Sequence, residues 1–225
     1  TETVGSIDDG GMGGGSITLG SGALTAGGDN TDTNFSGAIS GTGTGSLTKT
    51  GTGNLILSGT NSYSGGTTVS AGTLTGDTDS LQGGITNDAT VTFDQGGPGI
   101  YAGDMDGTGT LVKLNTGNVT LTGNNSYTGG TTVSAGTLTG DTDSLQGNIS
   151  NSATLTFDQG SNGSYSGAIS GSGDLTKTGG GTLTLSGTVD NGAVNLNGGT
   201  LKLGADNQIA DGMQVNFDGG TFDTG

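Results

Sequence analysis

The chain has 225 residues, among them 53 glycines, one proline, four lysines as its only basic residues and 20 acidic residues, with no cysteine, histidine or tryptophan and a formal net charge of −16. Disulfides are therefore excluded, the common nucleophile triads cannot be assembled, and the acidic balance repels phosphate backbones and anionic lipid, so no nucleic-acid partner is expected. Leu, Ile, Val and Phe together number 42, a content low enough to read as disorder were it not for their order along the chain.

The first residues, TETVGSIDDG, have neither a basic start nor an apolar run, and no stretch approaches 18 apolar residues, so neither a signal peptide nor a transmembrane segment is expected. The missing initiator Met fits a processed or excised segment. GGMGGGS (Gly10 to Ser16) is rich in glycine, but it lacks the Lys-Ser/Thr of a phosphate loop and any helix to open, which leaves a linker or coil corner. Residues 1–34 read as glycine-rich N-terminal coils, followed by units at 35–98, 99–164 and 165–225, the last with divergent C-terminal coils.

The units are copies of one another. Asn61 to Gly83 reads NSYSGGTTVSAGTLTGDTDSLQG, and Asn125 to Gly147, 64 residues later, differs only by Thr128 in place of Ser64. ITNDATVTFDQG (Ile85 to Gly96) and ISNSATLTFDQG (Ile149 to Gly160) keep that offset, as do Lys49, Lys113 and Lys177. Phe35 to Gly59, Tyr101 to Gly123 and Tyr165 to Gly187 form three further versions of one segment; from Thr188 the register loosens and the NSY segment does not return.

Within each copy, short runs alternate apolar and polar residues and are punctuated by Gly, Asn, Asp and Ser every six to ten residues, the pattern of strands with one dry face. Ala89, Val91 and Phe93, Ala153, Leu155 and Phe157, Leu183 and Leu185, and Leu201 and Leu203 are expected to point inward, and Thr92, Thr156, Thr184 and Lys202 outward. The three repeated lysines share parity with Leu47, Leu111 and Leu175. Their strands are therefore expected to end just before the lysine and let the amine reach solvent. Runs this short cannot build a sandwich core, but a chain that winds back every ~20 residues stacks each strand ~4.8 Å from its predecessor. The expected fold is all-β, a right-handed parallel β-helix (β-solenoid) of about ten coils, about three to each 64-residue unit and on the order of 50 Å long. The competing arrangement is a sheet of hairpins, which would want Asn-Gly or Asp-Gly turns; these occur at Asp9, Asp106, Asn191 and Asp211 but not in the best-repeated segments.

Candidate sites are few. GDTDS occurs twice and places Asp77 and Asp79, and Asp141 and Asp143, in turns expected to stack or nearly stack. They are the candidate metal ligands, for Ca²⁺, yet two carboxylates per turn fall short of the six to eight oxygens that ion takes, and turn formation explains them more simply. No cofactor is expected. Carboxylates are plentiful but dispersed, with no Arg, His or Trp beside them, so a glycoside-cleaving pair and enzyme activity in general are not expected. Rows of threonine such as Thr90 and Thr92 could order water as in ice-binding solenoids, but threonine is also an ordinary strand residue on a wet face. Tyr63 and Tyr127 are expected to stack in a small internal aromatic row.

These residues resemble a known family. LTKTGTGNLILSGTNSYSGGTTVSAGTL (Leu47 to Leu74) is similar to the L-x-K-x-G-x-G-x-L-x-L-S-G-x-N-x-Y-x-G-G-T-x-V-x-x-G-x-L pattern of autotransporter passenger-associated repeats. Leu111 to Leu138 follows it with Asn115 at the first glycine and with Val119 and Thr122 for the usual Leu and Ser; Leu175 to Gly187 matches, and Val189 to Gly199 departs, losing the tyrosine. The resemblance implies a bacterial surface or secreted protein whose passenger is a parallel β-helix serving adhesion, aggregation or biofilm, with cell-surface or matrix components and other copies of itself as partners. Two further readings stay open. Unpaired strand edges at the ends of a solenoid suit a subunit of a self-assembling extracellular filament, and a carbohydrate-active enzyme is the third.

Overall fold

The computed structural model describes residues 1–10, 13–205 and 208–224; Gly11 and Met12, within the glycine-rich stretch, lie outside it. The described residues form 28 strands of two to five residues and no helix. The strands stack as a parallel β-solenoid of about 11 turns. Each strand in a ladder pairs in parallel with the strand one coil away, as Leu47 does with Thr67, Thr67 with Ile85 and Ile85 with Met105. No hairpin pairing occurs among the described strands, so the competing arrangement falls away.

Alternation builds this core. In Ser46–Lys49, Asn54–Leu57, Asn118–Leu121 and Thr182–Leu185 every second residue is buried. Successive coils lay these residues over one another, so that Leu55, Leu74, Val91 and Leu111 form one continuous internal column. Chain entropy is offset because each column buries its members completely although each strand supplies only two. Ala89 and Ala153 pack against this core from partly buried positions. Thr156, Thr184 and Lys202 face outward as expected, whereas Thr92 is buried, covered by Thr75 and Val112 at the matched positions above and below.

Coil length runs from 17 residues, between Leu74 and Val91, to 23, between Leu24 and Leu47. These lengths alter the expected geometry of the repeat. Three coils on from Leu47 the chain reaches Met105, and Leu111, the residue equivalent to Leu47, lies on the next face, paired with Val91 and Thr131. Leu175 lies on the face after that, paired with Leu155 and Val194. The 64-residue unit is thus three and one-third coils rather than three. Each copy is turned by about one third of a revolution and raised about 16 Å at the usual strand spacing.

A third expectation fails at the lysines. Lys49 ends the strand Ser46–Lys49, Lys113 and Lys177 lie within Thr110–Leu114 and Asp174–Thr178, and all three are 0% exposed. The parity that places them beside Leu47, Leu111 and Leu175 does point them inward, and what makes the position tolerable is a set of backbone acceptors. Lys49 Nζ donates to the carbonyls of Thr50 at 2.7 Å, Gly51 at 2.8 Å and Ala71 at 3.3 Å. A buried ammonium is admissible when its three protons are all bonded.

The corner after each lysine needs a left-handed residue. Gly51 has φ +67°, and a Cβ there would come within 1.9 Å of the Gly27 carbonyl oxygen. The equivalent residues are Asn115, at φ 63°, and Gly179, at φ 74°. Asparagine is the side-chain-bearing residue that best tolerates this region, and its Oδ1 accepts from Thr116 N at 2.8 Å, which accounts for the departure from glycine in the second copy.

Candidate functional surface

The GDTDS turns follow Thr73–Gly76 and Thr137–Gly140, which lie in different sheets. They do not stack, because the one-third rotation carries the second copy to another face. Each turn is closed from within. Asp77 Oδ1 accepts from the amides of Asp79 at 3.0 Å and Ser80 at 2.9 Å, while Ser80 Oγ accepts from Asp77 N at 2.7 Å. Asp141 Oδ1 accepts from Asp143 and Ser144 amides at 3.0 Å each. Thr78 N and Thr142 N donate to Gln95 Oε1 and Gln159 Oε1, which come directly after the strands Thr90–Asp94 and Thr154–Asp158. Leu81 and Leu145 then plug the turns into the core, essentially unexposed. Asp77 and Asp141 are thereby spent on backbone amides, and Asp79 and Asp143 face solvent. Among the described residues no group of three or more acidic side chains is gathered as a cation would need.

The tyrosines are internal but form no single row. Tyr63 and Tyr127 hydroxyls bond the Thr67 and Thr131 hydroxyls at 2.8 and 2.7 Å. Ring contacts fall instead on Phe93 with Tyr101, at 5.1 Å and 60°, and Phe157 with Tyr165, at 5.0 Å and 66°. Tyr101 donates to the Gly83 carbonyl at 2.6 Å and Tyr165 to that of Gly147, so both pin the end of a GDTDSLQG turn from below. Burial, above all, holds all four phenols above their ordinary value, and Tyr127 reaches about 12.

Two internal asparagines have functional weight that no motif announces. Where the chain swings away from its ladder, Asn61 Oδ1 accepts from Ile39 N and its Nδ2 donates to the Ser80 carbonyl, both at 2.7 Å. Asn125 does the same between Met105 N and Ser144 O, again at 2.7 Å. Each side-chain amide stands in for a missing rung between coils. Recurrence of Asn two residues before Tyr in both copies is the one signal of it in the sequence.

Outside, the second turn is flanked by two polar concavities of about 370 and 460 Å³, which meet at Thr142 and Ser164. At the offset equivalent to Ser164 the first copy carries Ile100, which is 67% exposed. The same turn therefore has a polar neighbour in one copy and an apolar one in the other.

A family model described as the passenger-associated-transport-repeat matches three times, at residues 47–75, 111–139 and 175–203. The chain carries three passenger-associated transport repeats. It is similar to an adhesin, the BmaC autotransporter of Brucella suis biovar 1 (strain 1330), with 38% identity over an alignment that takes in 91% of this chain. The chain spans about 8% of that relative's length. No solved structure gives a significant match. Each matched passenger-associated transport repeat begins on a lysine-bearing strand, at Leu47, Leu111 and Leu175, so the three repeats start on three different faces of the solenoid.

Proposed function

We propose that the chain is a rigid adhesive segment of an autotransporter passenger, standing at the bacterial surface and presenting a repetitive polar exterior to other cells, matrix components or copies of itself. The observation that carries this reading is the similarity to an autotransporter adhesin along nine-tenths of the chain. Geometry supports it in a specific way: the rotation between copies sends equivalent turns out in different directions, so a partner approaching from more than one side meets the same GDTDS turn, with Asp79 or Asp143 exposed on it, beside Ile100 in the first copy and Ser164 in the second. The titratable side chains named above serve turns and pins rather than converging on one cleft, which favours a non-enzymatic role.

Display of residues 1–225 on a non-adherent bacterium, against a control displaying a passenger of similar length, tests the reading. Increased attachment to host cells or matrix, or increased autoaggregation, is expected. No gain in any of these assays, or turnover of a polysaccharide by the purified chain, overturns it.

A further inference from the structure

All four cationic side chains of the chain are lysines, and three of them are sealed inside the rod. Lys113 Nζ donates to the carbonyls of Leu114 at 2.6 Å, Asn115 at 2.8 Å and Ala135 at 3.2 Å. Lys177 Nζ donates to those of Thr178, Gly179 at 2.9 Å and Gly198 at 3.3 Å. Lys49 repeats the arrangement with Thr50, Gly51 and Ala71. In every case two acceptors belong to the lysine's own corner and the third to the corner one coil further on. An ammonium has three protons for these three oxygens, and no carboxylate takes part: the one ion pair among the described residues is that of Lys202 with Asp223, at 3.4 Å.

We infer that Lys49, Lys113 and Lys177 are pins that fasten each corner to the next coil, and that by burying them the fold removes nearly every target of lysine- and arginine-directed proteases from the rod. The two halves share one physical basis. The carbonyls of the left-handed residues Gly51, Asn115 and Gly179 lie outside the ladders, and the ammonium supplies a donor there while tying two coils together; those of Leu114 and Thr178 accept the amides of Gln95 and Gln159 as well, at 3.3 and 3.1 Å. The same side chain, together with the stacked strand that bears it, is then out of reach of a protease pocket. With no arginine in the sequence, Lys202 is the single basic side chain left at the surface, half exposed on the strand Thr200–Leu203. This inference does not depend on what the rod adheres to.

Trypsin digestion of the folded chain, read by mass spectrometry, tests the shielding. Cleavage confined to Lys202 is expected, abolished in Lys202→Gln, with the bonds after Lys49, Lys113 and Lys177 cut at least about 100-fold more slowly than in the urea-unfolded chain. Cutting at any of those three within about tenfold of the unfolded rate overturns it. Lys113→Met, which keeps the length and loses the donors, tests the pin. Amide exchange around residues 114–116 and 134–136 is expected to quicken about tenfold or more while the Lys49 and Lys177 corners keep their protection; unchanged exchange overturns it. Nitrogen-15 spectra of the unsubstituted chain decide the same point even if that variant does not fold. Three slowly exchanging ammonium signals coupled to backbone carbonyls sustain the inference, and their absence overturns it.

Discussion

The stretch after the second lysine strand and the stretch after the third solve the same packing problem with different completeness. In the second copy, Tyr127 fills the interior and bonds Thr131, Asn125 bridges two coils, and Leu145 closes the turn. In the third, one residue shorter here, Asn191 stands where the tyrosine was and Val194 where the threonine was. Val189, in place of Asn125, pairs directly with Ile169 and needs no side-chain bridge. Asn191 is buried, and neither atom of its amide has a hydrogen-bond partner. A polar pair has lost both members, and a polar residue has been left in the vacated apolar slot. Internal hydrogen bonds in a solenoid persist as complete units or become a liability.

Breaking the intact network should have the largest effect. Tyr127→Ala removes a fully buried ring and leaves the Thr131 hydroxyl without the phenol, so urea unfolding should show a loss of about 3 to 5 kcal/mol. Tyr127→Phe should cost only about 1 kcal/mol, because the packing survives. If the two variants lose the same amount, the hydroxyl rather than the ring holds the site. Asn125→Ala should cost about 2 to 3 kcal/mol, since it strands the Met105 amide and the Ser144 carbonyl in the interior. In the third copy, Asn191→Leu should raise stability by about 1 to 2 kcal/mol by removing two unpaired polar atoms. A decrease would mean that the amide has a role that its lack of partners conceals.

Alkali sets phenols against ammoniums. The folded state keeps the four tyrosines protonated above their ordinary value of 10.0, so their contribution is fully present below pH 10 and is lost as pH rises through the folded values, about 12 for Tyr127. Burial lowers the three pinned lysines below 10.5, so between their folded values and 10.5 rising pH favours the fold. Above pH 10.5 only the tyrosine effect remains, at about 1.4 kcal/mol per pH unit for each phenol that ionises on unfolding. Tyrosinate absorbance and loss of β circular dichroism should therefore appear together. Phenols titrating near 10 in a chain that keeps its sheet would contradict their burial.

The solenoid itself is legible in the sequence because alternation and the 64-residue offset are both properties of side-chain order. Even the lysines are legible in parity, since Lys49 follows Leu47 by two. The general cost of burying a charge argues the other way, and the acceptors that offset that cost are corner carbonyls, which have no signature in residue type. Rotation of the copies is hidden for a different reason. Dividing 64 by a nominal coil of 20 rounds to three, and only coils as short as the 17 residues between Leu74 and Val91 reveal the extra third of a turn. The GDTDS acids can be read as turn formers at Asp77 and Asp141, because an aspartate beside a glycine closes a turn on its own amides. Their stacking cannot, because it depends on the coil count.

The smallest expected effect falls on the corner that distinguishes the second copy from its neighbours. Asn115 occupies a left-handed conformation that costs most side chains about 1 to 2 kcal/mol, partly offset here by its bond to Thr116 N. Asn115→Gly should relieve that strain while adding freedom to the unfolded chain, so the unfolding free energy from urea titration should move by no more than about 0.5 kcal/mol in either direction. Asn115→Ala has neither the side-chain bond nor the conformational freedom and should lose about 1 kcal/mol or more. The corner's carbonyl is also a ligand of Lys113, at 2.8 Å. A residue that relaxes to negative φ would turn that oxygen away, and the alanine variant should then show faster amide exchange at the Ala135 corner as well. Equal stability for the glycine and alanine variants would mean that the left-handed turn is not what aims the carbonyl at the ammonium.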